Sequence, residues 1–365
     1  MRHLPKAFIA LAFALLLAEA AVRWLAEPPL LISFVASDPV LGHKGPANRT
    51  VMIWNNKLQY NAQGFRVIYP PKGAKLGNDA IAFLGDSMVE AISIADRDHF
   101  ASLFSGATGL RPYVLAAGDW GTTQEWLAFR DSRPENTKAV VLAFSSLTDF
   151  VNNGPAFAGL YQSKVDFLRP YLRAAEGGAE VYYLRPFYRF LRGHSSLFLA
   201  FDNVRISRSL SEPVKLHPDC KLNPNSIPLH VYFTDETPAW KEAFEATTLS
   251  FRELKAHATS AGAKPLAIYV PNDFELLDDK WDDSVKTPAE ACWPGRKMER
   301  RENERKFLAA AKEAGLPAES LFDFFRKELE KKPALFLPDG HFNEAGHEAF
   351  ARGLVELARK HKLVP

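Results

Sequence analysis

Ser87 lies in the run FLGDSMVE (83–90), where an apolar stretch ends at Leu84 and Gly85 allows a tight approach before a helix begins. A serine at that place is exposed, and the first amides of the helix favour negative charge beside it. Taken alone, Gly-Asp-Ser also reads as an ordinary helix cap. A hydroxyl acts as a nucleophile when a base takes its proton and a third group orients that base. Near the other end of the chain, LPDGHFNEAGHEAF (337–350) supplies both types in one turn, Asp339 and His341. His347, past Gly346, falls within or at the start of the next helix and reads as a packed or solvated residue. A metal site built on Asp339, His341 and His347 lacks further ligands, so no metal and no cofactor is expected.

Attack on an acyl carbon builds negative charge on the carbonyl oxygen, and each preorganised donor there lowers the barrier by ~3–4 kcal/mol. Two segments could supply donors. LAAGDWGTTQ (115–124) carries Gly118 and Gly121, and LAFSSLTDF (142–150) carries Thr148. A loop glycine suits the role because no side chain blocks its amide. Both glycines also read as plain turn residues.

These residues need a scaffold that brings positions 87 and 341 together. From Asp79 onward, short apolar runs recur at 80–85, 113–117, 139–144, 265–270 and 320–324. Runs without polar alternation are expected of strands buried on both faces, hence a parallel sheet covered by helices. One helix is signalled by Thr237 as cap, Pro238 at the first position, and Trp240, Phe244, Phe251 and Leu254 on one face. Gly262 stops it, and a second helix from about 300 to 314 ends at Gly315. The expected fold is an α/β three-layer sandwich with a central parallel sheet of about five strands, preceded by an N-terminal hydrophobic helix. Residues 1–26 read as a signal anchor or signal peptide, 27–78 as a linker and irregular lobe, and 79–365 as the main domain. The aromatic stretch 151–236 interrupts the alternation and is too long for a simple loop, so it reads as a cap insertion.

Arg2, His3 and Lys6 precede an apolar run from Ala7 to Ala18. That pattern is an export signal, short for a membrane span of roughly 20 apolar residues unless the helix continues past Glu19. The expectation is an uncleaved anchor with an extracytoplasmic domain, the alternative being secretion after cleavage near Ala20. Cys220 and Cys292, in Pro-flanked loops, suit either one disulfide in an oxidising compartment or two separate thiols. With 45 basic and 43 acidic side chains the net charge is +2, which gives no general reason to bind nucleic acid.

Together, GDS (85–87), AAGDWG (116–121) and DGHFN (339–343) resemble the motifs of the GDSL/SGNH hydrolase family. The resemblance covers roughly 79–360, and NAQGFR (61–66) resembles a segment of membrane-anchored bacterial members. It implies a flavodoxin-like sheet, Ser87 as nucleophile, His341 as base, Asp339 as its orienter, and the amides of Ser87 and Gly121 as oxyanion donors. The short D-x-H spacing looks like the alginate O-acetyltransferase branch. Where related sequences read L-N-D this chain reads Leu147-Thr148-Asp149, which puts a threonine hydroxyl in place of an amide donor. Asn152 and Asn153 stand close enough in sequence to substitute. The functions implied are an O-acyl esterase or an O-acetyltransferase on an envelope glycan or glycolipid, at the bacterial inner membrane. The alternative is a non-catalytic protein that keeps the fold to bind a glycan or a partner.

Overall fold

The computed structural model describes residues 4–25, 30–32, 34–146, 148–158, 168–210 and 229–364. Five strands form one sheet: β1 (Ala80–Gly85), β2 (Arg111–Ala116), β3 (Thr137–Ser145), β4 (Lys264–Val270) and β5 (Ala318–Ser320). Their order is β5-β4-β3-β1-β2, and every pairing is parallel. Read from the β2 edge this is 2-1-3-4-5, the flavodoxin-like order, whose crevice opens at the carboxyl ends where β1 meets β3. All six residues of β1 are buried, as is β3 apart from Lys138. This is why neither strand shows alternation.

The helices used below are α1 (Leu4–Leu25), α2 (Ser87–Glu90), α3 (Phe100–Thr108), α4 (Thr122–Ser132), α5 (Asp149–Asn153), α6 (Pro186–His194), α7 (Ser196–Leu210), α8 (Pro238–Ser260), α9 (Glu302–Ala314), α10 (Phe322–Lys331) and α11 (Glu344–Lys360). α3 packs with α11, while α8 packs with α4, α5 and α9, and helices flank the sheet. The Thr237 hydroxyl accepts the Trp240 amide and Pro238 opens α8, as the sequence signals predict. The run 320–324 is different. The strand covers Ala318–Ser320, and Ser320 Oγ accepts the Phe322 amide, so the phenylalanines that looked like strand begin α10.

The described part of 27–78 is more ordered than a linker. Residues 35–38 pair with 42–44, and 50–53 pair with 56–59, all antiparallel. Leu58, Tyr60 and Phe65 are buried, and Gln124 and Trp120 donate to the Leu41 and His43 carbonyls. Its composition concealed this, because its own core is only the small cluster of Ile53, Leu58 and Tyr60, and hydrogen bonds and apolar contacts to the main domain hold the rest.

α1 is a helix of 22 residues, as expected at the N-terminus. The expectation of a membrane anchor is not met in the same way: among the described residues, no helix is long and apolar enough to cross a membrane. Within α1, Glu19 and Arg23 are tied to α6 and α7 by the contacts described below. Of the stretch 151–236, the described parts are 151–158 with the end of α5, 168–210 with a hairpin (171–175 with 178–182), α6 and α7, and 229–236. The hairpin packs on α8. Cys292 is disulfide-bonded, and the chain's other cysteine, Cys220, lies outside the described residues.

Candidate active site

Ser87 is the first residue of α2, directly after β1. Asp86 caps the helix, its Oδ1 accepting the Met88 amide at 2.9 Å. The turn is tight enough to need glycine before it, since a Cβ on Gly85 would stand 2.3 Å from Val89 Cγ2. α2 lasts four residues and ends at Ala91 in the left-handed region (φ 48). The fully buried Arg66 side chain holds that end: its guanidinium donates to the Glu90, Ala91 and Ile94 carbonyls and to Asp96. The segment NAQGFR therefore lies beneath the turn that carries Ser87.

The C-terminal turn 337–341 is closed by the Gly340 amide on the Leu337 carbonyl and the Leu337 amide on the His341 carbonyl. Gly340 at φ 87 allows the reversal, with Asp273 Oδ1 3.5 Å from where its Cβ would be. The turn places His341 Nε2 2.9 Å from Ser87 Oγ. On the other side of the ring, Nδ1 lies 3.2 Å from Asp339 Oδ1, which also accepts the His341 amide at 3.1 Å. A carboxylate held by the His341 backbone amide and lying beside Nδ1 favours the imidazole tautomer that leaves Nε2 as an acceptor toward the hydroxyl. Residues 254 positions apart thus meet in a nucleophile–base–orienter arrangement.

His347 does not join it. It is buried, its Nδ1 accepts the Phe100 amide, and its ring stacks on Phe100. Burial first, then the nearby Arg66 and His341, push its pKa down to about 3, so it stays neutral.

The donor side departs from the sequence expectation in three places. Gly121 begins α4 as its N-cap, and its amide donates to Gln124 Oε1 at 3.2 Å. The glycine beside the serine is Gly118, whose Cβ would lie 3.8 Å from Ser87 Cβ. The signal that separates them is position: Gly118 follows the strand end almost at once, whereas Gly121 leads into a helix. Thr148 is near the site, but its hydroxyl donates to Asp86 Oδ2 at 2.8 Å, with Ser145 Oγ at 3.2 Å. Asn152 donates to the Asp119 and Trp120 carbonyls and Asn153 to Thr122 and Thr247, so both hold the 119–123 loop. The Gly118 amide is itself engaged by Glu90 Oε2 at 2.8 Å, and Tyr60 donates to the other oxygen of that carboxyl. Burial pushes the Glu90 carboxyl up. The Ser87 amide, first in its helix, has no acceptor within the helix.

Asp86, Glu125 and Asp149 form a buried carboxyl cluster behind Ser87 that the sequence did not announce. Burial pushes Glu125 and Asp149 well up; Asp86 reinforces this at Glu125, and Glu125 and Asp86 do so at Asp149. A carboxyl raised in the fold holds its proton there after the unfolded chain has lost it. Its stabilising contribution is complete at low pH and is lost as pH rises from the unfolded carboxyl value toward the folded one. Glu125→Gln removes that loss. The variant is expected to match wild type near pH 4 and to exceed it increasingly above, by up to ~1.4 kcal/mol per pH unit over that window. Urea midpoints at pH 4, 6 and 8 check this, and a variant less stable at pH 8 contradicts it.

No family model matches the chain, and no curated protein matches it. Solved structures that it resembles include an alpha/beta hydrolase enzyme from a lake metagenome and the three that follow. The Bacillus subtilis protein YxiM is 11% identical with a TM-score of 0.39, over 79% of this chain and 58% of that one. TesA is 10% identical with a TM-score of 0.38, over 78% and 99%. A Corynascus thermopiles carbohydrate esterase family 2 enzyme with a carbohydrate-binding domain is 12% identical with a TM-score of 0.37, over 82% and 69%. This chain thus spans little more than half the length of YxiM. Likenesses at this level carry no argument about the reaction, for which the site geometry stands alone.

Proposed function

We propose that the protein is a serine-dependent O-acyl esterase or O-acetyltransferase working on a glycan or glycolipid outside the cytoplasm. The observation that carries the reading is the continuous contact from Ser87 Oγ to His341 Nε2 and from His341 Nδ1 to Asp339. In this reading His341 takes the Ser87 proton as Oγ bonds to the acyl carbon. The Ser87 amide, and the Gly118 amide if it turns from Glu90, receive the oxyanion. His341 then protonates the departing alcohol, leaving an acyl-serine. The second half repeats the steps with water, releasing the acid, or with a sugar hydroxyl, forming a new ester. The disulfide at Cys292 supports an oxidising, extracytoplasmic compartment.

A second reading, a binding protein that keeps the fold, is favoured by one observation: Gly118 and Thr148 already spend their donors on Glu90 and Asp86. Product analysis separates the readings. Purified protein is given an acetylated sugar, alone and with an unacetylated acceptor sugar. Released acetate means esterase, and acetyl on the acceptor means transferase. Neither product, together with saturable binding of the sugar, sinks the catalytic reading.

A further inference from the structure

We propose that the face formed by the end of α1 with α6 and α7 is a docking surface for an anionic lipid bilayer. The inference stands apart from the reaction assigned to Ser87. Scattered exposed apolar residues are normal on a protein, but a contiguous group of large ones marks a contact surface. Phe187 is 73% exposed and Phe190 54%, one turn apart on α6; Phe201 is 70% and Val204 52% exposed on α7. Trp24, at the end of α1, is 89% exposed.

The three helices are tied together. Arg23 Nη2 donates to the His194 carbonyl at the end of α6, and the Phe190 ring stacks on the His194 ring at 4.3 Å. Glu19 caps α7, accepting the Ser196 amide at 2.7 Å, the Leu197 amide at 2.9 Å and the Ser195 hydroxyl at 2.8 Å. Desolvation raises the Glu19 carboxyl, but the Leu197 amide, Arg23 and the other bonds outweigh it and hold it at about 2. Glu19 is thus an ionised cap, and α1 leaves the body from a fixed point.

The inward side of α6 and α7 mixes apolar with polar groups, Ile206 packing with Tyr188 and Val35. Their inward side buries Arg192, Asp202 and Asn203, with Arg192 bonded to Asp202, Ser37 and Asn203. Their outward side presents phenylalanines. Exposed aromatics of that size grouped on neighbouring helices mark a surface that an apolar neighbour would cover.

Two features select a bilayer over a protein groove. In α1 the described side chains from 9 to 17 are exposed without a break, including Ile9, Leu11, Phe13, Leu15, Leu16 and Leu17. That run adds apolar area beside the α6–α7 face, which an acyl layer can cover. The charges also fit anionic headgroups. Residues 184–206 contain Arg185, Arg189, His194 and Arg205 around the buried Arg192–Asp202 pair, and Asp202 is the one acid there. Aromatic side chains at the headgroup boundary with basic ones around them are the pattern of an interfacial contact. The proposal requires contact with the layer, not a crossing of it.

The test uses the full chain with a nitroxide on Phe187→Cys or Phe201→Cys; both positions are exposed, so the fold tolerates them, and Cys292 is already disulfide-bonded. The chain is mixed with phosphatidylglycerol–phosphatidylcholine vesicles, and label collisions with oxygen and with a water-soluble nickel chelate are compared. The expected result is co-sedimentation with the vesicles and a several-fold rise in the oxygen-to-nickel ratio at both positions. A chain that stays in solution, or one that sediments with both labels as nickel-accessible as without lipid, overturns the proposal. So does label–label broadening without lipid, which would assign the face to a second copy.

Discussion

Ser87→Ala is expected to abolish covalent labelling by a fluorophosphonate and to lower any acyl-ester turnover by roughly a thousand- to a million-fold. The probe reports the one event that requires an activated hydroxyl: Oγ bonds to phosphorus, fluoride leaves, and the proton goes to the base. At 2.9 Å, His341 Nε2 is within hydrogen-bond reach of that proton, so His341→Ala is expected to suppress labelling nearly as far. Asp339→Asn should cost less, because Asp339 acts through the ring; the His341 amide could still hold the side chain while the preferred tautomer is lost. The fold should survive all three. Ser87 is only half-buried, and the Asp339 and His341 side chains are 52% and 33% exposed. Wild-type protein that folds, fails to label and matches Ser87→Ala would remove the catalytic reading and leave the binding one.

Arg66→Met should destabilise the protein by about 3–5 kcal/mol, the usual cost of removing one partner from a buried, hydrogen-bonded ionic cluster. The Arg66 side chain is fully buried, and its loss takes a donor from the carbonyls of Glu90, Ala91 and Ile94, of which Ala91 keeps the Ile94 amide, while Asp96 is 23% exposed and can take up water. Those carbonyls end the short helix that starts at Ser87, so fluorophosphonate labelling should slow even in conditions where the variant is folded. Arg66→Lys keeps the charge but not the planar fork that reaches several acceptors at once, and it should fall between the two. Urea midpoints measure the stability loss and labelling rates measure the turn. Wild-type values for both in Arg66→Met would show that the guanidinium is not what holds α2.

How much was legible in advance depended on the range of the interactions. The sheet strands were readable because a strand buried on both faces must be apolar throughout, as at 80–85 and 139–144. The run 320–324 misled because phenylalanines suit a strand and the inward face of a helix alike; the Ser320 cap decided between them. Gly118 and Gly121 look alike in a one-dimensional pattern. Apart from their distance from the strand end, it is the path of the chain that shows one beside Ser87 and the other against Asn152 and Asn153. The polar lobe before residue 79 read as irregular because its order comes from bonds to Leu41, His43 and Glu90 made across the fold.

By itself the sequence determined the residue types of the site and the chain order in which a parallel α/β sheet can gather them: a serine after β1, and an acid and a histidine before the last helix. Local chemistry sufficed there, because caps, turns and buried strands are written in neighbouring residues. The tertiary structure decided which groups are available to react. It brought His341 across 254 positions to Ser87, spent the Thr148 hydroxyl on Asp86 and the Gly118 amide on Glu90, and set Arg66 beneath the nucleophile turn. A donor's direction and a buried group's partners depend on contacts distant in sequence, and no local pattern encodes them.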